Sequence, residues 1–185
     1  MTYERLTVRR NEGKIGNPTA FIFSCPGQEE QKSGKLVNGR TGKNLDIMLS
    51  ILNRQYPEIF PYCGRYDYRI TNSSENVHYK AFDNRSEPKE AEITDPENIR
   101  RLINDITGYK YIITFGRCAA LAADEIKKLG LMPDSVFLYS RHLSFLSLNS
   151  SIKFDTDGNI IEKGSQDSTY KRLEVAAKMI TDQLI

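Results

Sequence analysis

Short apolar runs alternate with helical patterns along most of this chain, and few folds accommodate that alternation. The first run, Ala20-Phe21-Ile22-Phe23 within a strand over 19–24, stops at Pro26-Gly27. The others are Tyr66 to Thr71, Tyr109 to Phe115 and Val136 to Tyr139. Short apolar segments bounded by Pro, Gly or Asn read as buried strands of a parallel sheet. Helices fall between them. From Thr41 to about Arg54, the residues Leu45, Met48, Leu49 and Leu52 share one apolar face. Asp95 can cap another helix, with Pro96 in its first turn and Ile99, Leu102, Ile103 and Ile106 as its buried stripe. An Ala-rich helix over 117–129 is closed by Gly130, and a last helix runs from about Gln166 to Leu184. Phe154 to Glu162, around Asp157-Gly158, reads as a small hairpin. The pattern predicts one α/β domain over 1–185, a three-layer α/β/α fold around a mainly parallel four-stranded sheet. Two segments lack a period. Residues 3–18 read as a polar arm, and 73–94 as a long polar loop that is functional or partly disordered.

A net charge of +2 neither demands nor excludes a nucleic-acid partner. No apolar run is long enough to span a membrane, and Met1-Thr2-Tyr3-Glu4-Arg5 does not open a signal peptide. A cytoplasmic protein without a membrane partner is expected. The three cysteines, Cys25, Cys63 and Cys118, are far apart. That argues against a disulfide framework and a zinc knuckle, so no metal or other cofactor is expected. The Gly- and Lys-rich stretch 34–43 lacks the order of a nucleotide-phosphate loop. Asp155-Thr156-Asp157-Gly158-Asn159 lacks the bidentate Glu of a calcium loop.

In an open parallel sheet the ligand sits beyond the carboxyl ends of the strands. Right-handed crossovers bring the Gly27, Asn72, Gly116 and His142 segments to that one edge. The backbone N–H groups after the first strand suit an anion or a polar ring edge. Asn72 offers a donor and an acceptor, enough to read the edge of a base or an amide. His142, in a hydroxyl-rich segment, can donate to charge developing on a substrate. His78 lies in the polar loop and reads as solvated.

Taken in order, these segments resemble the uracil-DNA glycosylase superfamily, in particular its prokaryotic iron–sulfur branch. The resemblance is carried by Phe23-Ser24-Cys25-Pro26-Gly27, by Glu29-Glu30 and Gly34, and by Val37-Asn38-Gly39-Arg40-Thr41-Gly42. It continues through Ile70-Thr71-Asn72, Gly116-Arg117-Cys118-Ala119-Ala120 and His142-Leu143-Ser144. It implies a DNA-repair enzyme that flips a damaged or modified base, uracil or another, out of the stack and hydrolyses its N-glycosidic bond. It also implies residue roles. Asn72 would read the base and His142 would stabilise the departing base anion. The backbone of Pro26, Gly27 and Gln28 would line the pocket. Arg40 and Ser144 would hold phosphates, and Leu143, Phe145 or Leu146 would wedge into the groove. The expected partner is DNA, single-stranded or mismatched, bound by a monomer.

Three departures separate this chain from the pattern. Ser24 stands where a carboxylate or Asn orients the attacking water, and serine is a poor base. Val37 replaces an aromatic that stacks on the flipped base. The cluster cysteines are missing. Two other functions remain open at this stage: a catalytically eroded nucleic-acid or nucleotide-binding module on the same fold, and an α/β protein that takes a small anionic metabolite at the 24–43 loop.

Overall fold

A computed structural model describes residues 9–184. The start of the polar arm and the Met1–Arg5 stretch lie outside the described residues. The sheet has four strands, β1 (Thr19–Phe23), β2 (Arg69–Asn72), β3 (Tyr111–Phe115) and β4 (Val136–Ser140), all parallel, in the order β2-β1-β3-β4. The helices are α1 (Gln28–Ser33), α2 (Gly39–Gln55), α3 (Lys80–Asp83), α4 (Glu90–Ile93), α5 (Pro96–Ile106), α6 (Arg117–Lys128), α7 (Phe145–Ser151) and α8 (Ser168–Thr181).

The period-two alternation of the strands splits the core into two layers. Phe21, Phe23, Ile70, Ile113 and Phe115 pack with Leu45, Met48, Leu49 and Leu52 of α2 and with Leu173, Ala176, Ala177 and Ile180 of α8. Ala20, Ile22 and Ile112 pack on the other face with Ile99, Leu102 and Ile106 of α5 and with the small residues of α6. The fold is therefore α/β/α, as the alternation of apolar runs predicts. Asp95 caps α5, accepting from the N–H groups of Glu97 and Asn98.

Each edge strand is met by a partner at one residue. Asn11 exchanges two backbone hydrogen bonds with Ile70 along β2. At β4 the Gln183 carboxamide accepts from the Tyr139 N–H and donates to its carbonyl, as a strand neighbour would. No described helix is long and apolar enough to cross a membrane.

Several local expectations differ from the structure. Strand β2 starts at Arg69, because residues 65–67 form a 3-10 turn in which the Arg65 N–H donates to Asp46 of α2. The 73–94 segment, read as a loop, holds two short helices, α3 and α4. His78, expected to be solvated, is only 2% exposed. Its Nδ1 lies 2.5 Å from Asp83 and its Nε2 3.2 Å from Glu92, and Arg85 pairs with both carboxylates. Burial alone would raise the Asp83 and Glu92 carboxyls, yet bonds and charges from His78, Arg85 and the nearby backbone bring both below their ordinary values. The segment thus carries a polar core of its own. The 154–162 hairpin is reduced to one antiparallel bridge, Phe154 with Ile160.

Candidate functional site

The carboxyl ends of the strands gather the expected residues on one edge. Register pairs Asn72 with Phe23. Since Ile70 and Phe23 face the α2 layer, Asn72 faces it too. The His142 ring meets the Phe23 ring edge-on at 6.2 Å, and Phe23 stacks on Phe115 at 4.6 Å. Asn72 and His142 therefore flank the same aromatic wall, on the same side of the sheet.

Asn72 is 2% exposed, and neither its Nδ2 nor its Oδ1 has a hydrogen-bond partner among the described residues. Buried amides are nearly always paired, so two unmet groups on one side chain call for an explanation. Its backbone is firmly held, because Arg101 of α5 donates to the Asn72 carbonyl at 2.8 Å. Arg101 also bonds Thr71 and Asp105 and borders a mixed-charge cleft of about 400 Å³ on the α5 side.

The Nδ1 of His142 accepts from the Ser144 N–H at 3.1 Å. A neutral imidazole with Nδ1 accepting carries its proton on Nε2, so Nε2 is a donor. Burial lowers the His142 pKa, against a smaller upward pull from Glu87, and keeps the ring neutral. Asn44 of α2 donates to the Leu143 carbonyl at 2.8 Å and pins this turn. The Ser144 hydroxyl accepts from the Ser147 N–H and caps α7.

The turn settles which apolar side chain can reach outward. Leu143 is fully buried, so it is no wedge. Phe145 is 50% and Leu146 79% exposed. Arg40, exposed in the first turn of α2, sits over the Phe145 ring at 5.2 Å.

The loop after β1 is more committed than its sequence suggests. Ser24 is buried; its carbonyl accepts from the Ser74 N–H and the Ser73 hydroxyl, and its own hydroxyl donates to the Cys25 thiol. The Pro26 carbonyl accepts from the His78 N–H. Gln28 opens α1 and is exposed. The Gly27 N–H is taken by Glu30 at 2.6 Å, and the other Glu30 oxygen takes the Val37 N–H at 2.8 Å. Burial raises the Glu30 pKa in spite of those two bonds. Glu30 thereby ties the two ends of the loop together. Burial also pushes the Cys25 thiol up to about 12 and raises Cys118, so neither supplies a thiolate at neutral pH. No group of three His, Cys, Asp or Glu among the described residues is placed to hold a metal ion.

Val37 is buried with φ +49°, a left-handed conformation that a β-branched residue rarely takes. Such strain costs on the order of 1–3 kcal/mol and persists only where the surroundings impose it. Here Glu30 holds the Val37 N–H, and Gly42 of α2 packs directly on the Val37 carbonyl. A Cβ at Gly42 would lie 2.1 Å from that oxygen and 2.7 Å from Arg65 Nε. Gly42→Ala should therefore destabilise the protein, although alanine is the better helix former by about 1 kcal/mol. We expect a net loss of about 2 kcal/mol, a fall in Tm of roughly 4–8 °C for a domain of this size. Thermal unfolding measures it, and an unchanged or higher Tm would show that the loop yields freely.

Asn44, Glu30 and Arg101 hold the site but do not stand out in the sequence. Two had a signal. Asn44 is a polar residue beside the apolar stripe of α2, and Glu30 sits three residues after Gly27, at the reach-back position of a capping box. No protein-family model and no curated protein matches this chain.

Proposed function

We propose that this protein is a DNA N-glycosylase of the uracil-DNA glycosylase type, which flips a base out of single-stranded or mismatched DNA and hydrolyses its N-glycosidic bond. The observation that carries the reading is Asn72, a buried carboxamide with neither hydrogen-bonding group paired among the described residues, on the same side of the sheet as a histidine whose Nε2 carries the proton. A donor and an acceptor on one rigid strand end match the paired edge of a pyrimidine. A neutral donor beside them suits the charge that develops on a departing base. The exposed pair Phe145 and Leu146, with Arg40 alongside, fits a wedge and a phosphate contact at the mouth of the site.

Ser24 favours a second reading, a nucleic-acid or nucleotide-binding module without catalysis. Its hydroxyl is buried and tied to Cys25, so it is no base for water. One experiment separates the two. The full chain is incubated with single-stranded and mismatched oligonucleotides carrying uracil, 5-hydroxymethyluracil, 5-hydroxymethylcytosine or hypoxanthine, and alkali-labile breaks are scored. Base release from at least one probe is the expected result. Binding that weakens steeply with salt but yields no abasic site supports the module instead.

A further inference from the structure

We propose that Glu87 is the carboxylate that activates the attacking water, entering the site from the 73–94 segment rather than from the end of β1. The proposal rests on the glycosylase reading above and supplies what Ser24 lacks. Two contacts bring residues 86 and 87 to the strand ends. The carbonyl of Ser86 accepts from the Cys25 thiol at 3.8 Å, next to Ser24. The Glu87 carboxylate pairs with Arg117 at 3.1 Å, next to Gly116. Gly116 abuts the histidine, since a Cβ there would lie 3.0 Å from the His142 Cβ. Residues 86 and 87 therefore span from the end of β1 to the end of β3, across the edge that holds Ser24 and His142.

The neighbouring carboxylates are already committed. Glu30 is spent on the Gly27 and Val37 N–H groups. Asp83 and Glu92 close around His78 and Arg85. The partner of Glu87 is different. Arg117 is 77% exposed and Glu87 50%, and an exposed ion pair of this kind contributes little. The carboxylate can turn from Arg117 to a water without a large loss. Its ion-pair partner is Arg117 of α6, and its charge also acts on Cys118 of α6, Cys25 after β1 and His142 after β4. Cys118 lies close enough to Glu87 for the carboxylate to raise its thiol pKa.

The step balances without another reactant. Water oxygen bonds to the sugar C1′ as the bond from C1′ to the base nitrogen breaks. That electron pair goes to the base, where His142 Nε2–H and the Asn72 amide stabilise it. Glu87 takes one water proton and returns it to the departing base or to solvent.

The test uses the full chain and whichever probe oligonucleotide above releases its base fastest. Single-turnover rates and binding anisotropy are measured for wild type, Glu87→Gln, Glu87→Asp and Arg117→Ala across pH. Glu87→Gln should lower the rate about a hundredfold, the scale of a lost general base, with binding and Tm unchanged. Any acid limb that remains in its rate profile is the one His142 sets through the Ser144 turn. Glu87→Asp should recover part of the rate, and Arg117→Ala should keep most of it. The assignment is overturned if Glu87→Gln keeps the wild-type rate, or if it loses binding in proportion. It is also overturned if Arg117→Ala matches the loss, because the ion pair then only positions the segment. If wild type releases no base from any probe, the glycosylase reading itself fails and this proposal falls with it.

Discussion

His142→Ala should lower single-turnover base release about a hundredfold or more, the cost of losing one preplaced donor to a developing anion, while oligonucleotide binding changes little. The reasoning begins with the Ser144 N–H, which occupies Nδ1 and leaves Nε2 as the donor. Breaking the glycosidic bond puts negative charge on the base only as the transition state is approached. A donor aimed there stabilises that state more than the bound substrate, so the loss falls on the rate and not on affinity. The ring also sets a pH dependence. Burial holds the native pKa below the ordinary 6.5, so the unfolded chain takes up a proton first as pH falls. The stability that His142 contributes is complete above the unfolded value and is lost as pH drops through the lower native one. Protonation also puts a hydrogen on Nδ1, facing the Ser144 N–H, and breaks the turn. Wild type should therefore lose Tm in mildly acid solution by more than His142→Ala does. Full activity in His142→Ala on the released base would remove the histidine from the mechanism.

How much of this was legible in the sequence depends on what kind of signal each residue leaves. The stripes of α2, α5, α6 and α8 are written in hydrophobic period, and the four strands in short apolar runs. That the strand-end segments, those of Asn72 and His142 among them, share one edge of the sheet follows from crossover handedness. Tyr66-Asp67-Tyr68-Arg69 alternates like a strand, whereas the Asp46 contact folds 65–67 into a turn and β2 starts only at Arg69. The burial of His78 has no local signal. Its burial depends on Asp83, Arg85 and Glu92 closing around it, and a charged core has no hydrophobic pattern to announce it. The choice among Leu143, Phe145 and Leu146 rested on a long-range bond, from Asn44 to the Leu143 carbonyl, ninety-nine residues away in sequence. Glu87 left no mark at all, because its place over the site comes from how an irregular segment crosses two strand ends.

Asn72→Leu should separate stability from function. The Asn72 carboxamide is buried with neither polar atom paired among the described residues, and each such unmet group costs about 1–3 kcal/mol. Leucine has the same number of side-chain heavy atoms, branched at the same carbon. It fills the space beside Phe23 without needing a partner. The variant should be as stable as wild type or more so, with a gain of about 1 kcal/mol appearing as roughly 2–4 °C in Tm. Base release should fall about a hundredfold or more, because a site built to hydrogen-bond its substrate loses both donor and acceptor. Asn72→Asp makes the complementary test. It keeps the shape but buries a charge beside Phe23, so its Tm should drop while Asn72→Leu holds or rises. A protein that carries an unmet amide at a strand end gives up stability in the free state to recognise something in the bound one. Calorimetry on the three proteins, alongside base release from the same probe, reads both quantities. A clear fall in Tm for Asn72→Leu would mean that the carboxamide is satisfied before any ligand arrives. A wild-type rate in that variant would make Asn72 an ordinary strand-end residue, and the pyrimidine-edge assignment would have to be given up.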